Sequence, residues 1–258
     1  MILTQINFCS DVLATHCTVS VLLPQRKPAD PQDNYQAPFR VLYLLHGYSD
    51  DQTAWQRWTS IERYAEGRNL AVIMPYAQNS FYTDMLQGGK FFTFLTEELP
   101  AVAHDLFPLS SERADTFVAG LSMGGYGAFK LALSRPDQYA AAASLSGAVD
   151  IGQLVTQHHS NDPAWLEKMR AIFGDLNKVP GGPHDLFSLA QKVSQSGTKP
   201  RLFQSCGTED FLYQANLRLR DFIRPLGFDY TYAETPGDHS WGHWDRMIQK
   251  VLDWLDLQ

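Results

Sequence analysis

A predicted strand passes directly into a predicted helix between Thr116 and Leu133, and no loop residues separate the two. The segment is TFVAGLSMGGYGAFKLAL, an apolar run typical of a buried strand followed by apolar residues at helical spacing. Glycine is the poorest helix former after proline, yet three glycines follow Ser122 within five residues. Glycines at this point indicate a turn so tight that the start of the helix lies against neighbouring strands.

The turn matches G-x-S-x-G at Gly120–Gly124, a motif in which a strained strand-to-helix turn exposes a serine hydroxyl. It predicts Ser122 as a nucleophile at a helix N-terminus, where the helix dipole favours developing negative charge. The alternative is a glycine-rich turn with an idle serine. Neither G-x-x-x-x-G-K-[ST] nor a G-x-G-x-x-G after the first βα turn is present, so no phosphate-binding loop and no cofactor are predicted.

Apolar strand-like runs alternate with segments of helical periodicity along most of the 258 residues. This alternation predicts an α/β fold, a mainly parallel sheet with helices on both faces, in a single domain over residues 1–258. The predicted strands cover residues 2–9 and 16–23 (an antiparallel pair), 40–47, 70–75, 116–122, 140–147, 201–207 and 229–234. The predicted helices cover 53–69, 91–106 with a bend or break near Pro100, 123–134, 163–173, 211–224 and 241–257, and 24–38 is predicted as a surface loop.

A serine hydroxyl needs a base, and in folds with this motif the acid and the histidine follow the serine along the chain. Asp210 comes just after the predicted strand 201–207, where an orienting carboxylate belongs. Glu209 is the competitor one residue earlier, but the shorter side chain of Asp210 suits a fixed hydrogen bond to an imidazole. Asp210 is therefore predicted as the acid, and capping of the following helix is its alternative role.

His239 lies in ETPGDHSW, a turn between the last predicted strand and the final helix, from which a loop can reach the serine. It is predicted as the general base. His243 falls in the first turn of the final helix and is expected to pack or cap. The two histidines are four residues apart, as helical zinc ligands are, but H-E-x-x-H and a third ligand are missing, so no metal site is predicted.

An oxyanion hole needs two backbone N–H groups. One is expected from Met123, the residue after the nucleophile, and the other from the loop 46–50 after the third strand. Gly47 permits a turn that aims the Tyr48 amide inward, so Tyr48 is predicted as the second donor, with the Gly47 amide as the alternative. His46 is expected to make a structural hydrogen bond.

The formal net charge is −7 and no basic stripe is present, which argues against a nucleic-acid binder. No apolar run is long enough to span a bilayer, and the N-terminus lacks the regions of a signal peptide, so a cytoplasmic location is expected. The cysteines Cys9, Cys17 and Cys206 are expected to be reduced and mostly buried, and a Cys9–Cys17 disulfide stays open.

Four segments together resemble the esterase D-like group of α/β-hydrolases: LLHGYSDDQTAW, MPYAQNSFYTDM, AGLSMGGYGAFKLAL and GDHSWGHWD. The resemblance runs from about Val41 to the C-terminus and is greatest to bacterial tributyrin, acetyl and cinnamoyl (feruloyl) esterases, with S-formylglutathione hydrolases as more distant relatives. It implies the α/β-hydrolase fold and the nucleophile, acid and base already assigned. The family's H-x-W near the C-terminus matches His239-Ser240-Trp241, which favours His239 over His243.

The resemblance implies a serine carboxylesterase that hydrolyses short-chain acyl or cinnamoyl-type esters through an acyl-enzyme. Hydrolysis of the thioester S-formylglutathione uses the same machinery and stays an alternative, as do a non-catalytic binding relative and acyl transfer to another acceptor. The expected partner is a small-molecule ester, with no nucleic acid and no membrane. The oligomeric state is open, a homo-oligomer included.

The walls of the pocket are the least determined part of the site. Tyr48 follows His-Gly at a position that varies in this group, and its size is expected to narrow the acyl site. Residues 150–195, with Trp165 as a candidate substrate-binding residue, fall where relatives insert a small cap. An ordinary amphipathic helix followed by a loop is an equal alternative for this segment. His158 and His159 are expected to lie in a solvated loop.

Overall fold

Eight strands form one sheet at the centre of the computed structural model, which describes residues 1–29, 35–158 and 162–256. The strands are β1 (Ile2–Ser10), β2 (Thr15–Leu23), β3 (Arg40–Leu45), β4 (Leu70–Pro75), β5 (Thr116–Leu121), β6 (Ala141–Leu145), β7 (Arg201–Gly207) and β8 (Tyr230–Thr235). Their order across the sheet is β1-β2-β4-β3-β5-β6-β7-β8. β2 runs antiparallel to β1 and to β4, and all other neighbours are parallel. The antiparallel β1–β2 pair and the mainly parallel sheet agree with the prediction from the sequence.

Helices of very different lengths connect the strands. In the described ranges they are α1 (Ala54–Trp58), α2 (Ile61–Ala65), α3 (Phe91–Thr93), α4 (Leu99–Leu106), α5 (Met123–Ser134), α6 (Ile151–Gln153), α7 (Pro163–Phe173), α8 (Leu186–Ser194), α9 (Tyr213–Ile223) and α10 (Trp241–Trp254). The four helices predicted over 123–134, 163–173, 211–224 and 241–257 correspond to α5, α7, α9 and α10. Along those same described stretches, no helix has both the length and the apolar character that crossing a bilayer requires.

Two hydrophobic cores lie on opposite sides of the sheet. In β3, Val41 and Tyr43 belong to one core, while Leu42 and Leu44 belong to the other. Neighbouring side chains of a strand point to opposite faces, so a strand that is apolar throughout supplies both cores. The first core contains residues of α5 and the second contains residues of α10, which confirms the prediction of helices on both faces.

The helix predicted over 53–69 is instead two short helices, α1 and α2, with a break between them. Thr59 adopts an extended backbone at the end of α1. Its hydroxyl donates to the carbonyl of Trp55 and accepts from the amide of Ile61 at 3.1 Å. Threonine and serine side chains compete with the helical backbone in this way, and the helical spacing of the apolar residues hid the break.

The helix predicted over 91–106 is irregular close to Pro100, where the sequence predicted a bend or break. A π-helical turn over Phe94–Glu98 joins α3 to α4, and the amide of Leu99 donates to the carbonyl of Phe94, five residues back. Pro100 follows in the first turn of α4 and has no N–H for the carbonyl of Thr96, four residues before it. That carbonyl accepts instead from the side chain of Gln138 at 3.2 Å.

Within residues 150–195 the sequence predicted α7 but missed α8. Asp185 caps α8 by accepting a hydrogen bond from the Phe187 amide at 3.0 Å. The turn-forming residues VPGGPH at 179–184, directly before Asp185, obscured this signal in the sequence. Other predictions extend beyond the structure's coverage: residues 30–34 of the predicted loop 24–38, and His159 of the predicted histidine pair, lie outside the described residues.

All three cysteines carry free thiols, and the disulfide left open by the sequence does not form. Cys9 lies opposite His16 across the β1–β2 pair, and Cys17 lies opposite Phe8. Since successive residues alternate between faces, Cys9 and Cys17 point to opposite sides of the sheet. Cys17 and Cys206 are buried as expected, whereas Cys9 is exposed.

The glycines after Ser122 are explained by how closely α5 approaches the sheet. A Cβ atom at Gly124 would lie 2.5 Å from the carbonyl oxygen of Leu45 and 2.6 Å from that of His46. A Cβ at Gly120 would lie 2.4 Å from the carbonyl oxygen of Gly124. These neighbours are backbone atoms of β3, of the residue just after it and of α5, and they cannot rotate away, so only glycine allows the turn.

We expect Gly124→Ala to destabilise the fold by about 1–3 kcal/mol, because the added methyl group overpacks a rigid site. Gly242→Ala is the matched control, since Gly242 lies in the first turn of α10 with no atom within 4 Å of its would-be Cβ. That control should gain up to about 1 kcal/mol from helix propensity. Urea unfolding of both variants measures the difference, and equal stability of the two would contradict the close-packing argument.

Candidate active site

Ser122 links β5 to α5 with a backbone that is strained for a side chain, at φ 52° and ψ −116°. Its amide donates to the carbonyl of Leu145 at 2.9 Å, and its carbonyl accepts from the amide of Ala148 at 3.1 Å. Both partners belong to β6 or the residues just after it. A neighbouring strand therefore holds the turn in place while the hydroxyl stays half-exposed at the carboxyl edge of the sheet.

The structure brings His239 and Asp210 to this serine from two other strand ends. The Ser122 hydroxyl lies 3.0 Å from Nε2 of His239, and Nδ1 of that ring lies 2.8 Å from Oδ2 of Asp210. Asp210 follows β7, and His239 lies between β8 and α10. Three side chains separated by 88 and 29 residues thus form one continuous hydrogen-bonded chain.

Asp210 is held as a carboxylate although its side chain is fully buried. Burial raises its pKa, but hydrogen bonds from His239 and from the Leu212 amide outweigh burial, and the pKa lies below its ordinary value. The Leu212 amide donates to Oδ1 at 2.8 Å, so both carboxylate oxygens are occupied. An ionised Asp210 requires the proton of His239 on Nδ1, which leaves Nε2 free to accept from the serine.

The two competitors weighed in the sequence lie elsewhere. Glu209 accepts a hydrogen bond from the Gly237 amide and another from the Thr208 hydroxyl, so it braces the loop that carries His239. His243 is buried in the first turn of α10, where neither ring nitrogen has a hydrogen-bond partner in the described structure. His243 packs, as predicted, and it does not approach the serine.

His46 anchors the loop that faces Ser122. The Ala77 amide donates to its Nε2 at 3.0 Å, so Nδ1 carries the proton and donates to the carbonyl of Gly47 at 2.7 Å. Burial lowers the pKa of His46 to about 4, and the ring is neutral at physiological pH. The Tyr82 hydroxyl holds the His46 carbonyl at 2.7 Å. The prediction of a structural hydrogen bond at His46 is confirmed.

The loop 46–50 presses directly on the serine turn. A Cβ at Gly47 would lie 2.6 Å from the Leu121 side chain and 3.7 Å from Cβ of Ser122. Burial raises the pKa of Asp50, and the Gly47 amide beside its carboxylate acts in the opposite direction. The Gly47 amide therefore faces Asp50, while Met123 begins α5 and its amide has no partner within the helix.

Aromatic rings surround the site on two sides. The Tyr48 ring packs 6.0 Å from Phe81 and 5.8 Å from Trp165, which α7 carries. On the other side the Phe211 ring lies 4.5 Å from the ring of His239, although 69% of Phe211 is exposed. The sequence analysis missed Phe211; its signal was an aromatic residue directly after the proposed acid.

The arrangement is that of a hydroxyl nucleophile with a base and an orienting carboxylate. The histidine can take the serine proton at Nε2 while Asp210 stabilises the charged ring. No group of three or more potential metal ligands occurs in residues 1–29, 35–158 and 162–256.

Comparisons with known proteins agree with this chemistry. The chain matches the model of the family described as "Putative esterase" over residues 10–255. It is 33% identical over 261 residues to an acetyl esterase of Caldicellulosiruptor saccharolyticus, a match that covers 99% of this chain and 98% of the relative.

Two solved structures from Staphylococcus aureus are similar over the whole chain. The fluorophosphonate-binding serine hydrolase F has a TM-score of 0.88 and 35% identity, covering 100% of this chain and 98% of the other. An S-formylglutathione hydrolase has a TM-score of 0.85 and 36% identity, covering 100% of this chain and 99% of the other.

The buried neutral His46 makes stability depend on pH. Its folded pKa of about 4 lies below the ordinary 6.5, so between these values the unfolded chain binds a proton that the folded protein does not. Stability therefore falls as the pH drops from 6.5 towards 4. From pH 7 to pH 5 we expect the wild type to lose about 2 kcal/mol more than His46→Gln in urea unfolding. Equal losses in the two proteins would show that His46 is charged or exposed.

Proposed function

This chain belongs to the esterase family and has the α/β-hydrolase fold, and we propose that it hydrolyses short-chain acyl esters with Ser122, His239 and Asp210. As a member of that family it is a carboxylic ester hydrolase. The proposal adds the substrate class and the residues that carry the reaction. The observation that carries it is the hydrogen-bonded chain from the serine hydroxyl through the imidazole to a buried carboxylate.

In the first step Ser122 Oγ attacks the carbonyl carbon of the ester as His239 Nε2 takes the hydroxyl proton. Asp210 holds the ring and stabilises its positive charge. The tetrahedral intermediate collapses when the bond to the leaving alcohol breaks and His239 returns the proton to that oxygen. A water molecule, deprotonated by the same nitrogen, then attacks the acyl-enzyme and releases the carboxylic acid.

The oxyanion of each intermediate is stabilised by the backbone amides of Met123 and Tyr48. Two observations support this pair: Met123 is the first residue of α5, and the alternative Gly47 amide faces the Asp50 carboxylate. The neutral His46 holds the loop through its bonds to Ala77 and Gly47. Donors fixed before the substrate arrives need no reorganisation during the reaction.

The preference for short acyl groups rests on Tyr48 and on the segment 150–195. The Tyr48 ring stands two residues after His46 and packs against Trp165 of α7. The amides of Leu86 and Gln87 donate hydrogen bonds to carbonyl groups in the last turn of α7, and these bonds hold α7 against the segment that contains the two residues. In this proposal α7 is a small cap, and Trp165 closes one wall of the acyl pocket.

Thioester hydrolysis is the second candidate, since an S-formylglutathione hydrolase is 36% identical over the full chain. The same three residues would attack a thioester, so the site itself does not separate the two. Cinnamoyl esters are a third substrate class for this machinery, and transfer of the acyl group to an alcohol instead of water is detected by product analysis.

Replacement of the proposed nucleophile and acid tests the mechanism. Ser122→Ala should lower turnover of p-nitrophenyl acetate by several orders of magnitude and abolish labelling by a fluorophosphonate probe. Asp210→Asn should lower kcat by about 10³–10⁴-fold, because the ring loses its tautomer control. Glu209→Gln is the control and should stay within about tenfold of the wild type. Near-native turnover in Ser122→Ala, or an unlabelled wild type, would instead support a binding protein.

A substrate panel tests the pocket: p-nitrophenyl acetate, butyrate and octanoate, methyl ferulate and S-formylglutathione. We expect the highest kcat/KM for the acetyl and butyryl esters. Trp165→Ala should raise the octanoate-to-acetate ratio by about 3–10-fold as the pocket lengthens, while Trp254→Ala at the far end of α10 leaves it unchanged. A kcat/KM for S-formylglutathione above every oxygen ester would select the thioester reaction, and an unchanged ratio would remove Trp165 from the pocket.

A further inference from the structure

A cavity of about 570 Å³ lies away from the serine. Its lining comes from the C-terminal half of α5, from α8, and from the segments around Asp84 and His184. Ser122 is not part of the lining. Lys130 is, eight residues further along α5, which places it about 12 Å along the helix axis from the nucleophile. The volume is in the range of small-molecule sites.

Lys130 is the one charged residue in a helix that is otherwise apolar and buried from residue 123 to residue 133. Only 3% of Lys130 is exposed. Burying an ammonium group is costly unless a partner compensates, so such a residue calls for an explanation. The catalytic mechanism does not use Lys130 and gives none.

The contacts of the Lys130 ammonium are neutral. It donates to the Thr83 hydroxyl and lies 3.3 Å from Nδ1 of His184. Two aromatic faces, those of Phe92 and Tyr126, lie 5.7 Å away. In the described parts of the chain no carboxylate lies within salt-bridge distance.

The Asp84 carboxylate also lines the cavity, but its hydrogen bonds are with Thr93 and not with Lys130. The Asp84 carboxylate accepts from the Thr93 amide at 2.9 Å and from the Thr93 hydroxyl at 2.7 Å. Burial lowers the pKa of Lys130 to about 7, although Asp84 acts in the opposite direction. Burial and the charge of Lys130 lower the pKa of His184 to about 4, so His184 is neutral. The Lys130 ammonium therefore has no ion-pair partner at contact distance in the described parts of the chain, although the charge of Asp84 shares the cavity.

The other residues that line the cavity indicate the chemistry of an anion that could pair with Lys130. Half of the other lining residues are apolar: Phe92, Leu133, Pro136, Pro183, Leu189 and Val193. Arg135 and the exposed Lys192 add positive charge to the lining, and Asp84 adds one negative charge. An anion with an apolar body meets both requirements.

We propose that this cavity is a ligand site for a small monocarboxylate with an apolar body, whose carboxylate pairs with the Lys130 ammonium. A phosphate group suits the site less well, since the one buried ammonium offers few donors for its oxygens and half of the other lining residues are apolar. The site is separate from the catalytic serine and does not depend on the function proposed above.

Isothermal titration of hexanoate into the full-length protein tests the site, after Ser122 has been blocked by a fluorophosphonate so that the active site cannot contribute. We expect saturable binding with a Kd below about 1 mM at pH 6.5. Lys130→Met, which keeps the length of the side chain, should weaken binding at least about tenfold. Lys178→Met, an exposed lysine outside the cavity, is the matched control and should bind as the wild type does.

The p-nitrophenyl acetate turnover of Lys130→Met reports whether this variant is folded. If it is not folded, two further measurements still test the site. Leu189→Trp fills the cavity without replacing the lysine and should also abolish binding. Hexanamide and inorganic phosphate replace hexanoate as probes and should each bind at least about tenfold more weakly. Binding of hexanoate that survives both variants, hexanamide or phosphate that binds equally well, or no saturation with the wild type would overturn the proposal.

Proton linkage gives an independent readout. The charged groups that face Lys130 or share its cavity are Asp84, Arg135 and Lys192, and His184 is the neutral neighbour. Above pH 7 the Lys130 side chain of the free protein is mostly a neutral amine. Binding of a carboxylate then requires that this amine take up a proton. Affinity should fall by about 25-fold from pH 6.5 to pH 8.5, and this dependence should be absent in Lys130→Met. An affinity that does not change with pH would place the ligand elsewhere.

Discussion

The backbone of Ser122, at φ 52° and ψ −116°, is the constraint from which the rest of the site follows. A side chain in this region is strained, and the strain persists only because β6 holds the turn through its hydrogen bonds to Leu145 and Ala148. Glycines at 120 and 124 let α5 begin against the carbonyl groups of β3. Any bulk at these positions would move the serine away from the edge of the sheet.

A parallel sheet brings its strand ends to one edge, and this explains why distant segments meet at the serine. The loop 46–50 follows β3, Asp210 follows β7 and His239 follows β8. Each is fixed by contacts of its own: His46 through the Ala77 amide, Asp210 through the Leu212 amide, and the loop before His239 through Glu209. The side chains are therefore positioned before any substrate binds, as electrostatic stabilisation of a transition state requires.

Two buried ionisable residues, Asp210 and Lys130, have opposite electrostatic surroundings. Asp210 is buried with both oxygens hydrogen-bonded to His239 and Leu212, so the fold keeps its charge. Lys130 is buried beside a hydroxyl, a neutral imidazole and two rings, so the fold weakens its charge. One helix, α5, carries the serine at its N-terminus and this lysine two turns later. The charge of Asp210 completes the hydrogen-bonded chain to the serine, whereas the charge of Lys130 faces a cavity.

The sequence by itself determined the strand order along the chain, the tight turn at Ser122 and the candidates for acid and base, because motif spacing and strand ends are local properties of the chain. It did not reveal the break at Thr59, where a side-chain hydrogen bond to the backbone overrides apolar spacing. It also missed the helix α8, because turn-forming residues directly precede its capping residue Asp185. Only the tertiary structure decided that His239 lies within hydrogen-bond distance of the serine, that Trp165 packs against Tyr48, and that Lys130 lines a cavity without an ion-pair partner at contact distance in the described residues. Those facts depend on distances between residues far apart in the chain, and packing alone sets such distances.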